Sequence, residues 1–197
     1  MAGFPFPGHT EFLADADGKE EVLMLMHSSR YSVGLVSNHV PVADLPAWMT
    51  AERLLNKARL MATWLHQAYP DETLRVLGFN PHAGDGGVLG HGEDEMIASC
   101  IAHLQKEGFK VSGPHPADAA MKPSGGRLLA MYHDQGLPLF KFAAGQEGVN
   151  VSLGLSFVRV SPDHGTAFDL AGSGRADAGS MLQACREALA LLEQRQS

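Results

Sequence analysis

The stretch Arg127-Leu128-Leu129-Ala130-Met131-Tyr132-His133-Asp134-Gln135-Gly136 decides the fold class, because an apolar run of strand length breaks abruptly into a polar turn. A short apolar run without a polar face reads as a strand buried on both sides, and such strands belong to sheets covered by helices. The same pattern recurs outward along the chain, where residues 22–26, 32–36, 74–79 and 157–160 read as further buried strands. Amphipathic stretches alternate with them. Over residues 50–69, Leu54, Leu55, Ala58, Met61, Ala62 and Leu65 recur at helical spacing behind Thr50, a fitting N-cap, and Pro70 marks the end. Residues 93–107 open with Glu93, Asp94 and Glu95, which suit the positive end of a helix dipole, and stop at Gly108. Met96, Ile97, Cys100, Ile101 and Leu104 form that helix's inner face. A last helix covers residues 179–195, and the Pro-, Gly- and Ala-rich residues 113–126 read as an ordered loop. With no internal repeat and no interdomain linker visible, the expectation is one α/β domain over residues 1–197, a mainly parallel sheet flanked by helices.

Composition narrows the function classes. Fifteen basic against twenty-two acidic residues give a net charge of −7, and no run of Lys or Arg offers nucleic acid an electrostatic footprint. The longest apolar stretches fall well short of the ~20 residues that span a bilayer, and the opening Met-Ala-Gly-Phe-Pro-Phe-Pro has no basic or long apolar region of a secretory signal. A cytoplasmic protein is expected. Cys100 and Cys185 lie too far apart for a local redox or zinc motif and are too few for a disulfide scaffold, so both read as small core residues.

Three of the ten histidines stand where a strand gives way to a loop: His39 in Ser37-Asn38-His39-Val40-Pro41, His82 in Asn80-Pro81-His82-Ala83-Gly84, and His133 in the opening stretch. The carboxyl ends of parallel strands line the ligand crevice of an open α/β sheet, so the three loops are able to bring three imidazoles together around one divalent metal. Imidazole suits Zn, Fe, Co or Ni, and three protein ligands leave positions open for substrate or water. The competing reading is that each histidine caps its own loop. Asp134 beside His133 reads as an acceptor for the N–H of a metal-bound imidazole, a carboxylate ligand or a cleft charge, and Asp118 is a weaker candidate of the same kind.

A second constellation reads as an anion site. Gly8-His9-Thr10-Glu11, Lys141, Asn150 and Arg159 supply donors suited to a phosphate or carboxylate, and Arg159 sits in an apolar stretch where a charge without a partner is costly. Residues 161–174 are dense in Gly and small polar side chains, which lets a ligand approach the backbone closely. Gly84-Asp85-Gly86-Gly87-Val88-Leu89-Gly90 is a decoy for the dinucleotide fingerprint, since Leu89 stands where its third Gly is required. No Gly-x-Ser-x-Gly elbow supports a serine hydrolase, and a three-histidine metallohydrolase would have no evident general base beyond Asp134.

Taken together, Phe4-Pro5-Phe6-Pro7-Gly8-His9-Thr10-Glu11, Asn80-Pro81-His82-Ala83-Gly84, Tyr132-His133-Asp134-Gln135-Gly136-Leu137-Pro138, Val149-Asn150-Val151-Ser152-Leu153-Gly154-Leu155, Asp163-His164-Gly165-Thr166-Ala167 and Leu170-Ala171-Gly172 resemble the 4-hydroxythreonine-4-phosphate dehydrogenase family, with its isocitrate/isopropylmalate dehydrogenase-like fold. The resemblance implies NAD- or NADP-linked oxidation of 4-phosphooxy-L-threonine followed by decarboxylation, in pyridoxal phosphate biosynthesis. It further implies a divalent cation such as Zn, Mg or Co on His39, His82 and His133, with ligands shared across a homodimer. Substrate contacts are implied for His9, Thr10, Lys141, Asn150 and Arg159, catalytic roles for Lys141 and Asp134, and cofactor contacts for His164, Gly165, Thr166, Ala167 and Asp169. The family pattern is departed from at Asp85, at Gly90-His91-Gly92-Glu93-Asp94-Glu95, and around Arg159 at Ser156, Val160 and Pro162, so another phosphorylated hydroxy acid or a dihydrodiol is an alternative substrate. The family's long segment before Phe-Pro-Gly-His-Thr is absent, so a shortened chain lacking the far wall of the cleft is expected, with a non-catalytic metal-binding module as the rival reading.

Overall fold

The computed structural model describes residues 5–195, so the first residues of the Phe-Pro stretch, Gly3 and Phe4, lie outside the described residues. In chain order the elements are α1 (His9–Ala16), β1 (Leu23–His27), β2 (Tyr31–Leu35), α2 (Leu45–Trp48), α3 (Ala51–Ala68), β3 (Leu74–Leu77), α4 (Glu93–Lys106), β4 (Val111–His115), α5 (Ala117–Ala120), β5 (Gly126–Ala130), α6 (His133–Ala144), β6 (Val149–Leu153), β7 (Val160–Pro162) and α7 (Gly179–Gln194). The strands form one sheet in the order β4-β3-β5-β2-β1-β6-β7. β4, β3, β5 and β2 are mutually parallel, β1 runs against β2, β6 runs against β1, and β7 runs against β6. Five of the seven strands therefore point one way, as a mainly parallel sheet requires.

Helices cover both faces, which is why β1 and β2 are buried along their whole length. Successive side chains of β1 alternate between two cores. Leu23 and Leu25 join Leu54, Ala58 and Met61 of α3, Ile97 and Leu104 of α4, and Leu191 of α7. Met24 and Met26 join Leu137 and Phe140 of α6 on the opposite face. The expected helix over residues 50–69 forms as α3, with the Thr50 hydroxyl accepting the Arg53 N–H at 3.3 Å.

Several elements differ from the expectation. The strand expected over residues 157–160 instead begins at Val160, and Phe157 is exposed, because the chain turns between β6 and β7 with Ser152 N–H bonded to Arg159 C=O at 3.1 Å. β4 occupies part of the stretch expected to be loop, where Gly113 and Pro114 conceal any apolar alternation. Helix α6 is hidden by its own Gly136 and Pro138. A Cβ at Gly136 would lie 2.7 Å from Val33 Cγ1 and 3.0 Å from Ala130 Cβ, so glycine is what lets α6 rest directly on β2 and β5. Cys100 is buried, where the packing holds its thiol pKa up at about 11, but Cys185 is exposed on α7 and is not a core residue.

Candidate active site

Strands β3, β5 and β2 are neighbours and parallel, so the segments that carry His82, His133 and His39 all leave the same edge of the sheet. Hydrogen bonds from Val36 N–H to Ala130 C=O (2.9 Å) and from Ser37 N–H to Met131 C=O (3.1 Å) carry the β2–β5 pairing to within two residues of both His39 and His133. Gln135 clamps the third strand to them. Its Oε1 accepts the Met131 N–H at 2.7 Å and its Nε2 donates to Gly78 C=O at 2.7 Å, joining the ends of β5 and β3. No role for Gln135 follows from the sequence alone; what marks it is its position two residues past a strand-end histidine.

His39 is held by Glu11, which the sequence groups with the anion-binding residues but whose carboxylate, itself an anion, is here an acceptor. Glu11, in the first turn of α1, accepts from His39 Nδ1 at 3.1 Å and from Asn38 Nδ2 at 3.3 Å. His133 is the first residue of α6, and its Nδ1 lies 2.6 Å from Asp134 Oδ1. A carboxylate only accepts, so each Nδ1 carries a proton, and in the neutral ring it is Nε2 that presents the lone pair. The two rings face each other with centroids 6.2 Å apart at an interplanar angle of 40°.

His82 sits in a different kind of segment. Residues His82, Ala83, Gly84, Asp85 and Gly86 all have positive φ, between 46° and 77°, a left-handed turn that L-residues enter at a cost of ~1–2 kcal/mol each. Asp94 compensates for that strain. Buried in the first turn of α4, its carboxylate accepts from Phe79 N–H (2.8 Å), Asn80 N–H (3.4 Å) and Asn80 Nδ2 (2.9 Å), pinning the entry to the turn. Sequence reading took Asp94 only as a dipole-compensating acid. His82 itself is exposed, and among the described residues of this one chain no three His, Cys, Asp or Glu side chains are grouped closely enough to hold a metal ion.

The donors near His39 nonetheless fit a cation. Glu11 Oε2, Asn38 Oδ1 and Ser37 Oγ are buried without a protein hydrogen-bond partner among the described residues, an arrangement that is costly unless something else engages them. Thr10, also buried, lines with Glu11, Asn38 and His39 an open cleft of 810 Å³ that extends to Trp48 and Arg53. His9 opens α1 on its exposed side.

The remaining anion-site residues gather elsewhere on the chain. Arg159 donates through Nη1 to Asn150 Oδ1 at 3.2 Å and to Ser152 Oγ at 3.4 Å, and burial pushes its pKa below the ordinary arginine value. Lys141, on the exposed face of α6, pairs with Asp163 at 2.9 Å. It lies eight residues along the helix from His133, about 12 Å at 1.5 Å per residue. His164, Gly165, Thr166, Ala167 and Asp169 form an exposed loop, in which a Cβ at Gly165 would meet nothing within 4 Å, leaving backbone open to a flat ligand. Asp118 is exposed on α5.

The chain matches the family model described as "Pyridoxal phosphate biosynthetic protein PdxA" over residues 1–188. It is 46% identical over 202 residues to the 4-hydroxythreonine-4-phosphate dehydrogenase of Acidithiobacillus ferrooxidans, a match that covers 100% of this chain and 61% of that protein. The protein of the same name from Neisseria meningitidis is 42% identical over 190 residues, covering 93% of this chain and 58% of its own length. Among solved structures, the 4-hydroxythreonine-4-phosphate dehydrogenase of Klebsiella pneumoniae superposes with a TM-score of 0.81 at 32% identity, over 95% of this chain and 59% of that one. A terephthalate 1,2-cis-dihydrodiol dehydrogenase from Burkholderia xenovorans superposes at 0.74 and 30% identity, over 92% of this chain and 60% of that one. The chain thus spans about three fifths of the length of these relatives.

Proposed function

This chain belongs to the PdxA family of pyridoxal phosphate biosynthetic proteins, and from that premise we propose that it serves the metal-dependent, NAD- or NADP-linked oxidation of 4-phosphooxy-L-threonine, followed by decarboxylation. The observation that carries the reading is the pair of imidazoles at one sheet edge, 6.2 Å apart, each with its Nδ1 tied to a carboxylate. Nε2 of His39, His82 and His133 would hold a divalent cation, which would supply Lewis-acid polarisation of the reacting oxygen. His164, Gly165, Thr166, Ala167 and Asp169 would hold a nicotinamide cofactor, which would supply the hydride acceptor.

The chain's own residues do the rest. Glu11 and Asp134 keep the two imidazoles in the tautomer that leaves Nε2 free. Arg159, with Asn150 beside it, is a half-buried cation without a carboxylate partner among the described residues, and binds an anionic group of the substrate. Lys141 exchanges Asp163 for a second anionic group. His9 and Thr10 contact the substrate from the start of α1, where Thr10 lines the cleft beside His39. Because no three such side chains of one chain are grouped closely enough among the described residues to hold a metal ion, we assign the complete metal site to a homodimer with ligands shared between copies. Exposed Phe142 and Phe168 provide apolar surface for such a contact. No helix among the described residues is long and apolar enough to cross a membrane, and we place the protein in the cytoplasm with its substrate.

A second reading is favoured by the departures around Arg159. Ser156 is bound by Asp17 through both its N–H (2.7 Å) and its hydroxyl, which fixes the turn beside the anion-binding arginine. A cis-dihydrodiol bearing a carboxylate is the alternative substrate. Metal analysis together with cofactor reduction by each substrate tests both. We expect stoichiometric metal that His82→Ala loses, and reduction by 4-phosphooxy-L-threonine. Metal retained in His82→Ala would reject the ligand set. Metal without hydride transfer to either cofactor would reject the dehydrogenase reading in favour of a metal-binding module.

A further inference from the structure

The opposite edge of the sheet carries a second concentration of charge. There the amino ends of β2, β3, β4 and β5 surround an open pocket of 620 Å³, lined by Arg30, Arg75, Arg127, Glu72, Ser112 and Ser124 among others. Strands of five residues at ~3.3 Å per residue put this edge ~16 Å from the histidines. Three guanidiniums face one carboxylate, in a chain whose net charge is −7. That carboxylate is already committed, since Glu72 Oε2 lies 3.0 Å from Arg127 Nε and Glu72 Oε1 accepts from Arg127 Nη2 at 3.1 Å.

The other two guanidiniums have no carboxylate partner among the described residues. Arg75 Nη2 donates to Gly125 C=O at 3.0 Å, and Arg30 Nη2 donates to Pro123 C=O. Each thus spends one N–H on a neutral carbonyl and keeps further donors in reach of the pocket. The turn that holds them is built for the purpose. A Cβ at Gly126 would collide with the Arg75 guanidinium, and one at Gly125, where φ is +98°, would collide with the Arg30 carbonyl. Glycine at both positions leaves room for the Arg30 backbone and for the Arg75 guanidinium against this turn. Nearby His115 reports the local field: burial, then the positive charge of Arg75 and of Lys122, holds its pKa below the ordinary histidine value.

We propose that this pocket is an anion site, separate from the histidine edge, that takes a compact phosphate dianion, free or as a monoester. Two unpaired guanidiniums match two phosphate charges through charge-assisted bonds, and the hydroxyls of Ser112 and Ser124 line the same space. A structural staple for the 122–126 turn is the competing explanation, and it predicts no ligand dependence.

Titration of the full chain with inorganic phosphate, and separately with a simple phosphate monoester, followed by amide ¹H–¹⁵N spectra, separates the two. The expected result is a saturable shift of the Ser124, Gly125 and Gly126 amides. Arg75→Gln and Arg30→Gln should each weaken it about tenfold or more, the loss of one charge-assisted contact. The unliganded spectrum of each variant reports whether it is folded, and Arg30→Gln, at an exposed position, guards against collapse of Arg75→Gln. A response to inorganic phosphate alone identifies a free-ion site, and a response to both extends it to monoesters. Shifts confined to the neighbourhood of Arg159 and Lys141, no saturable shift, or an affinity in both variants equal to that of the natural chain would overturn the proposal.

Discussion

Glu11 and Asp134 each grip a histidine through Nδ1, and neither acts by charge alone: each decides which ring nitrogen is free. Outer partners of this kind typically govern metal affinity by ~10–100-fold. Glu11→Gln, which keeps the size but leaves an amide able to offer either a donor or an acceptor, is therefore expected to weaken cation binding by about tenfold or more, with folding unchanged. Competition with a chelator of known affinity measures it. Unaltered affinity would mean that His39 is oriented by its loop alone. Asp94 makes the complementary case at the base of the His82 turn. Asp94→Ala leaves the Phe79 and Asn80 N–H groups without their acceptor, and each buried unsatisfied donor costs ~1–3 kcal/mol. Lower stability together with a loosened 80–87 segment in hydrogen exchange is the expected outcome. Normal protection there would show that the left-handed turn holds itself.

At the level of elements, α6 illustrates why some of the architecture was legible and some was not. Helices α3 and α4 announce themselves by apolar periodicity and by their first-turn residues, because each buries one face against the sheet. Helix α6 buries Leu137 and Phe140 by the same rule, yet carries Gly136 and Pro138, residues that lower any helix expectation. Contact geometry overrides propensity there: Gly136 allows the close approach that puts His133 at the head of the helix and beside His39. Gly136→Ala should force the helix off Val33 and cost ~1–3 kcal/mol, as overpacking does. A lowered urea midpoint accompanied by weaker metal binding would tie packing to the site, and a midpoint unchanged or raised would show that Val33 yields freely. The candidate site was legible to the same degree. Strand-end placement foretold that all three histidines leave one edge of the sheet, but Glu11, Gln135 and Asp94 act through contacts between segments distant in sequence, which no local pattern encodes. β4 escaped for a simpler reason, since a strand containing Gly113 and Pro114 has no alternation to read.

Across the whole molecule, one buried polar cluster joins elements that the two cores hold only from their sides. His27, at the end of β1, has Nδ1 2.8 Å from Ser32 Oγ of β2 and Nε2 3.6 Å from Glu187 of α7, with Trp64 of α3 edge-on at 5.4 Å and Tyr69 at 6.2 Å. Arg127 of β5 completes it, donating to the same Ser32 hydroxyl at 3.1 Å. Burial, with the nearby Arg127 charge, holds the His27 pKa down at about 4 against an ordinary 6.5. As pH falls from 6.5 to 4, the unfolded chain binds a proton that the folded chain refuses, so this contribution to stability is complete above 6.5 and lost towards 4. The full difference corresponds to about 3 kcal/mol at 1.36 kcal/mol per unit. Glu187 opposes it, because burial raises its carboxyl and the folded chain accepts that proton first. His115, pushed down by burial, adds to the loss. The depressed carboxylates of Asp17, Glu93 and Glu107 stay ionised in the folded chain between pH 6.5 and 5, which makes that interval the informative one. Urea midpoints measured across it should fall for the natural chain and fall less steeply for His27→Gln, whatever the variant's absolute stability. Equal slopes would place the acid sensitivity outside this cluster, and would mean that α7 is held to the sheet by Ala184 and Leu191 without help from the Glu187 contact.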